Sequence, residues 1–359
     1  MMMPTLRELG WSDRLEAELP ASGASGLVPG RVSLEHTHIY RVATEAGEWL
    51  ARVSGRLRHH AASRSAFPAV GDWVGVEPPQ DDGFARIRTV LPRASRFSRR
   101  SAGDRTEEQV VAANIDVVFL VTGLDGDYNP RRIERYLLVA ADSGATPIIV
   151  LNKADLVEAP GVYVDEVRSI APNVAVHAAS CNEPGSLAPL RDALGIGRTG
   201  ALLGSSGVGK STIVNRLVGH DLLATRDVRI SDSKGRHTST SRQMVMLPGH
   251  GILIDTPGMR EIQLWETGEG ASATFSDIAE LAAHCRFRDC AHESEPGCAV
   301  IDAVAKGELP AARLDSYRKL RLEQAHQHRL QDQRAQQEGK RRARFLTQAL
   351  TRRLKDKGR

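Results

Sequence analysis

Three short apolar runs punctuate the middle of the chain, each ending on a polar or glycine-rich segment. They are Thr146-Pro147-Ile148-Ile149-Val150-Leu151, Ala201-Leu202-Leu203 and Ile252-Leu253-Ile254. Such near-continuous runs predict strands buried on both faces, the kind found in parallel sheets covered by helices. After the second run, Thr212-Ile213-Val214-Asn215-Arg216-Leu217-Val218 changes to helical spacing. Earlier in the chain the pattern is different. Arg31-Val32-Ser33-Leu34, His38-Ile39-Tyr40-Arg41-Val42, Glu48-Trp49-Leu50-Ala51-Arg52-Val53 and Asp72-Trp73-Val74-Gly75-Val76 alternate with period two between turn residues, which predicts a small β-barrel. Near the end, Leu346, Leu350 and Leu354 recur every four residues beside Phe345, a helical pattern that reads equally as an amphipathic helix or as a frayed, solubilising end.

The chain has 359 residues, enough for two or three domains, and its 41% hydrophobic content is sufficient to build cores. No apolar run approaches the roughly 20 residues of a membrane span, and Arg7, Glu8, Asp13 and Arg14 stand where a signal peptide would be apolar, so a cytoplasmic protein is expected.

Chemistry enters at the ends of the apolar runs. Gly204-Ser205-Ser206-Gly207-Val208-Gly209-Lys210-Ser211 matches G-x-x-x-x-G-K-[ST] at every fixed position and lies between a predicted strand and a predicted helix, the context the motif requires. Its glycines let successive N–H groups point at phosphate oxygens at a helix N-terminus. Lys210 is expected to reach the β- and γ-phosphates and Ser211 to ligate Mg²⁺, with Thr212 completing the nucleotide contacts.

The loop alone does not choose between ATP and GTP, but Asn152-Lys153-Ala154-Asp155 does. A carboxylate only accepts hydrogen bonds, so Asp155 can take the N1–H and the amino group of guanine, whereas adenine would leave it unpaired. Lys153 is placed to lay its stem over the base or ribose, and Asn152 to tie the loop to its neighbours. In the third motif, Asp255-Thr256-Pro257-Gly258, Asp255 is expected to hold Mg²⁺ through water and the Gly258 N–H to sense the γ-phosphate. Between the second and third motifs, Gly235-Arg236-His237-Thr238-Ser239-Thr240 offers switch-loop hydroxyls to Mg²⁺, with Thr238 and Thr240 both candidates. Met259 stands where many GTPases carry a water-orienting Gln, and it cannot do that work. His237 is one candidate replacement; a bound partner that completes the site is the other.

Cys285, Cys290, His292 and Cys298 fall within 14 residues, a Cys₃His set suited to a closed structural Zn²⁺ site. Cys181 stands apart from them.

The order of the motifs is unusual: base reader, phosphate loop, then Mg²⁺ motif. With it, Gln109-Val110-Val111-Ala112-Ala113-Asn114-Ile115-Asp116, Lys234-Gly235-Arg236-His237-Thr238, Met259-Arg260-Glu261 and the Cys₃His cluster resemble the circularly permuted, small-subunit-dependent bacterial GTPases of RsgA/YjeQ type. The resemblance runs over about residues 25–330. It implies a multidomain α/β protein with an N-terminal OB-fold barrel (31–105, after an extension 1–30), a permuted P-loop GTPase domain (106–270), a helical zinc domain (271–330) and a basic tail (331–359). It also implies GTP hydrolysis stimulated by the small ribosomal subunit in late maturation of that particle. His177-Ala178-Ala179-Ser180 falls at the family's Ser-Ala guanine-contacting loop, with its register open. Ser239 departs from the family's Thr-Thr-Thr.

Charge is consistent with an RNA partner. Residues 31–105 hold 13 arginines and no lysine against eight acids, grouped as Arg52, Arg56, Arg58 and Arg64, then Arg93, Arg96, Arg99, Arg100 and Arg105. An arginine rim on a barrel suits phosphate and shape recognition of rRNA, since only 4% of residues are aromatic. Residues 340–359 add nine basic side chains against one acid. Three rival readings share many of these features: a nucleotide-binding RNA scaffold with little turnover, a permuted GTPase acting on the large subunit, and a P-loop kinase.

Overall fold

The period-two segments close into a barrel, completed by one strand that the sequence reading did not single out. In the computed structural model, which describes residues 4–21, 26–36, 38–61, 63–100, 108–219, 242–255, 275–311, 313–319 and 321–322, the chain forms two compact units, Met1–Thr274 and Phe275–Arg359. The barrel strands are β1 (Val28–His36), β2 (Ile39–Thr44), β3 (Gly47–Val53), β4 (Trp73–Glu77) and β5 (Ala85–Val90). Strand β1 pairs with β2, β2 with β3, β3 with β5 in parallel, β5 with β4, and β4 returns to β1. Val32, Tyr40, Val42, Ala51, Val74, Val76, Ala85 and Ile87 fill the interior. In β5, Ala85 and Ile87 point inward while Arg86 and Arg88 point out, the alternation expected of a barrel wall.

Helix α1 (Asp13–Ala21) and the residues before it cover one flank, where Leu9 and Leu15 pack on Trp73 and Leu91. Two arginines counted in the sequence as surface charge prove to be structural. Arg31 is 1% exposed and donates to the carbonyls of Leu9, Gly71 and Asn114. Burial pushes its pKa down to about 10, with Asp116 and Asp72 opposing the shift. Arg93 forms a two-pronged pair with buried Asp72 at 2.8 and 2.7 Å and donates to the carbonyls of Ser65 and Phe67. Arg93 thus leaves the predicted RNA-facing rim, and Arg31 leaves the count of surface charge. Arg105 and the Arg100 side chain lie outside the described residues.

A two-stranded ribbon, β6 (Arg96–Arg100) and β7 (Glu108–Ala113), leads into the central sheet. There follow β8 (Val117–Gly123), α2 (Gly55–His60) having come earlier between β3 and β4, then α3 (Pro130–Ser143), β9 (Thr146–Asn152), α4 (Pro160–Ile170), β10 (Ala175–Ala178), α5 (Ala188–Ala193), β11 (Thr199–Leu203), α6 (Lys210–Val218), β12 (Arg242–Met246) and β13 (Ile252–Asp255). The strand order is β10-β9-β8-β11-β13-β12, parallel except for β12. Ile133, Leu137 and Val167 from α3 and α4 cover one face; Leu190, Leu194, Ile213 and Leu217 from the α5 and α6 region cover the other. The three apolar runs are therefore strands with both faces covered. Helix α3 starts at Pro130 after the Asn129 cap and stops at Gly144 in the left-handed conformation.

A β-bulge between Val32 and Leu34 lets β1 pair with β4 along its first half and with β12 at its end. Leu34 lies opposite Gln243 and Glu35 opposite Arg242, so one 11-stranded sheet runs through barrel and central domain.

In the second unit, α7 (Ser276–Ala282) and α8 (Ala299–Lys306) flank the Cys₃His segment. Phe275, Ile278, Val300, Ala303 and Leu314 are buried. Arg313 lies 4.5 Å from the Phe275 ring centroid and pairs with both carboxylate oxygens of Asp277. The basic tail, expected as an amphipathic helix or a frayed end, lies outside the described residues.

Candidate nucleotide site and metal centre

Because β9, β11 and β13 are parallel neighbours or near-neighbours, their carboxyl ends share one edge of the sheet, where open α/β sheets place their ligands. Asn152 ends β9, Gly204 follows β11 and Asp255 ends β13. The Asp255 side chain, Thr256, Gly258, Met259, His237, Thr238 and Thr240 lie outside what is described.

The phosphate loop needs its glycines for contact as well as for conformation. A Cβ on Gly204 would sit 2.2 Å from the Val121 carbonyl oxygen. Gly209 caps α6 at φ +97°, and a Cβ there would meet Asn152 Nδ2 at 2.4 Å. That close approach is itself an interaction. Asn152 Nδ2 donates to the Val208 carbonyl at 2.7 Å, stitching the base-reading turn to the phosphate loop across 56 residues of sequence. Lys210 Nζ donates to the carbonyls of Gly204 and Ser205, so its ammonium lies over the loop it belongs to. Ser211 and Thr212 follow it in the first turn of α6, both half-buried. Ser206 and Gly207 are exposed at the tip of the loop, and Val208 is buried beneath it.

The base-reading turn is held as tightly. Lys153 has left-handed backbone angles (φ 61°, ψ 36°), and its Nζ pairs with Asp125 just beyond β8. Partial burial opposes ionisation of Asp125, but Lys153 and the Asp127 amide outweigh it and lower its pKa. The Ala154 N–H donates to the Ala179 carbonyl at 3.0 Å. Asp155 is exposed, accepting from Ser180 Oγ at 2.6 Å and Asn182 Nδ2 at 2.9 Å. Those two donors, Ser180 first, hold its carboxyl below the ordinary carboxylate range. Of the segment whose register was open, Ser180 is the residue that touches Asp155.

Four residues around the site carry no sequence motif. Asp125 and Asn182 brace Lys153 and Asp155, while Arg132 donates to Ser205 Oγ and to Asp127, and Tyr136 lies 3.4 Å from Ser205 Oγ. Asp125 comes from the β8–α3 connection, Arg132 and Tyr136 from α3 itself and Asn182 from the segment after β10, adjacent in space and from separate parts of the chain. The one available signal was position, since each follows a strand that ends at the shared edge. Cys181, apart from the cysteine cluster, has its Sγ 3.8 Å from Asn152 Oδ1.

In the second unit, Cys285, Cys290, His292 and Cys298 bring their ligand atoms within 4.8 Å of one another. Tetrahedral zinc with bonds of about 2.3 Å to sulfur and 2.0 Å to nitrogen requires ligand separations of about 3.8 Å for S–S and 3.5 Å for S–N. Cys285 and Cys298 Sγ are 3.8 Å apart, and His292 Nδ1 lies 3.6 and 3.3 Å from them. The four residues fit the metal. The Ala299 and Val300 amides at the start of α8 aim at the Cys285 sulfur, outweighing the effect of burial and lowering its pKa. Glu295 organises the turn between ligands by accepting from its own amide and from those of Ala291, Glu293 and Ser294, which brings its pKa down to about 2.

A doubly wound sheet that brings a base-reading turn and a later phosphate loop to one edge, behind a five-stranded barrel, defines a circularly permuted GTPase. A family model described as RsgA GTPase matches residues 90–265. A protein of Opitutus terrae named small ribosomal subunit biogenesis GTPase RsgA is 47% identical over 338 residues, covering 91% of this chain and 92% of that one. One of Lactiplantibacillus plantarum named small ribosomal subunit biogenesis GTPase RsgA 2 is 44% identical, covering 91% of each. The crystal structure of YjeQ from Thermotoga maritima matches with a TM-score of 0.63 and 26% identity, covering 82% of this chain and 98% of that one. YloQ, described as a circularly permuted GTPase, shares the fold with a TM-score of 0.60, 24% identity and coverage of 83% of this chain and 94% of that one. The chain belongs to the RsgA GTPase family and is a GTP-hydrolysing enzyme.

Proposed function

We propose that this protein couples GTP hydrolysis to late maturation of the small ribosomal subunit, and that binding the subunit and its rRNA stimulates turnover. The observation that carries the nucleotide half is the Asn152–Val208 hydrogen bond, which fixes a guanine reader and a phosphate cradle at one spacing. The subunit half rests on family membership and the printed names of its relatives.

In this reading guanine sits on Asp155, with Lys153 over the base or ribose and Ala154 in the turn. The phosphates lie on the backbone of residues 204–212, and Lys210 neutralises the β- and γ-oxygens. Ser211 and Asp255 hold Mg²⁺, which supplies charge stabilisation at the transferring phosphoryl group, and Thr238 or Thr240 adds a switch hydroxyl. The Gly258 amide reads the γ-phosphate. Met259 replaces the water-orienting Gln, so slow unassisted turnover is expected, with His237 or the docked subunit positioning the water. One structural Zn²⁺ on Cys285, Cys290, His292 and Cys298 folds the second unit. The protein acts as a cytoplasmic monomer away from membranes; among the described residues no helix is long and apolar enough to cross one.

The test is co-sedimentation of the full chain with separated small and large subunits, with GDP or a non-hydrolysable GTP analogue. Binding to small subunits alone, favoured by the analogue, supports the proposal; preference for large subunits overturns it. A scaffold with little turnover is the second reading, and Met259 is the observation that favours it.

A further inference from the structure

Between the barrel and the β6–β7 ribbon lies a cavity of about 370 Å³. His38 and Tyr40 enter it from β2 and the turn before it, Arg64 and Phe67 from the short 3-10 segment Arg64–Ala66 and its cap, and Gln109 from β7. Tyr40 is 1% exposed and forms the floor, Phe67 is half-buried, and His38 and Arg64 are exposed at the rim. The volume falls in the range of small-ligand sites, about 300–1,000 Å³. The lining combines flat π surfaces with the Gln109 carboxamide and the half-buried Glu35 carboxylate, which is what an unstacked nucleobase needs: faces to stack on and acceptors for its N–H groups.

The charge beside the cavity points the same way. Helix α2 carries Arg56, Arg58, His59 and His60, all exposed, and no acidic residue occurs between Glu48 and Asp72. Asp72 is itself buried under Arg93. Elsewhere Arg41 pairs with Glu48, Arg86 with Asp82, Arg88 with Glu77 and Arg96 with Glu108, while Arg52 lies over the Phe84 ring. Among the described residues Arg56, Arg58 and Arg64 have no carboxylate partner. Arg64 thus brings an unpaired guanidinium to the rim of the cavity, with Arg58 near enough to act on Tyr40, while Glu35 places a carboxylate in the lining.

We propose that this cavity captures one unstacked base of single-stranded RNA, seated against Phe67, Tyr40 and His38, with the adjoining phosphates on Arg58 and Arg64. The assignment rests on the small-subunit reading above and names the contact the barrel makes.

The experiment titrates purified small ribosomal subunits with the full-length protein and its variants R64A, F67A and F67W, and probes the subunit RNA chemically, nucleotide by nucleotide. Stacking of one base contributes about 1–3 kcal/mol, so F67A weakens binding by about 5- to 150-fold while F67W retains it. R64A lowers the slope of log K against log salt by about 0.7. F67A and R64A both lose protection of the same single nucleotide, and GTP turnover without subunits stays at the wild-type rate. Arg64 is exposed, so its variant keeps the native fold and the test stands even where F67A does not fold. Wild-type affinity and an unchanged footprint in R64A and F67A overturn the proposal, as does cross-linking from position 64 to a ribosomal protein instead of RNA. A wild-type protein that does not bind small subunits at all overturns the underlying reading instead.

Discussion

Replacing Asp155 with asparagine isolates the base-reading interaction from everything else the turn does. A carboxylate offers about four lone-pair sites. Ser180 Oγ and Asn182 Nδ2 occupy two, leaving two for the N1–H and amino group of guanine. Asparagine turns one oxygen into a donor, which then faces the guanine amino group donor to donor. The remaining amide oxygen still accepts from N1–H, so the variant loses one hydrogen bond to a charged acceptor, about 1.5–3 kcal/mol, and leaves a donor facing a donor, about 1–3 kcal/mol more, together about 2.5–6 kcal/mol or roughly 10²- to 10⁴-fold in GDP binding. Xanthine carries a carbonyl where guanine carries the amino group, so the same variant gains affinity for XDP. Isothermal titration of wild type and D155N with GDP, XDP and ADP reads all three terms. Asp155 is exposed, so the melting temperature should hold and folding will not confound the result. A D155N protein that binds GDP within threefold of wild type, or that gains ADP instead of XDP, refutes the assignment of Asp155 as the guanine reader.

Other consequences can be tested in parallel. Asn152→Ala removes the tie to Val208 and should raise the Kd for GDP about tenfold, while Gly209→Ala, which forces a Cβ to 2.4 Å from Asn152 at φ +97°, should abolish detectable binding in the same titration. Arg93→Ala leaves the fully buried Asp72 carboxylate unpaired and should cost about 3–5 kcal/mol in urea unfolding of the barrel, with part of the loss recovered in R93A/D72A. Stripping the metal with a strong chelator should unfold the second unit, seen by circular dichroism, and release one zinc per chain without changing GDP affinity. Glu295 has its pKa depressed to about 2, so its support of the metal turn is complete above the ordinary carboxylate range and is lost only as pH falls toward 2. E295Q should therefore lose zinc to a chelator faster than wild type by a ratio that stays constant from pH 8 to 5; a ratio that closes between pH 6 and 5 would count against the role.

What the sequence revealed and what it hid divide along physical lines. Strands β9, β11 and β13 were legible because burial on both faces leaves no room for polar residues, and the phosphate loop because its backbone geometry admits only a few residue types. The Cys₃His set was legible because its ligands lie close in sequence. Arg31 and Arg93 were misread because composition counts charge without burial; one satisfies three backbone carbonyls and the other neutralises Asp72. Strand β5 was overlooked, although Ala85-Arg86-Ile87-Arg88 does alternate, because its outward arginines lower the apolar signal. The pairing of β1 with β12 joins segments more than 200 residues apart, and no local pattern encodes it. Asp125, Arg132 and Asn182 were hidden for the same reason, since the edge of the sheet assembles them from two separate loops and the first turn of α3.

The measurement that bears most directly on the whole account is hydrolysis of GTP and ATP, each with and without purified small ribosomal subunits. The account predicts slow GTP turnover alone, strong stimulation by small subunits, and no comparable turnover of ATP. Tight GTP binding with no stimulation would contradict it and establish the scaffold reading, with Met259 the physical reason for the idle site.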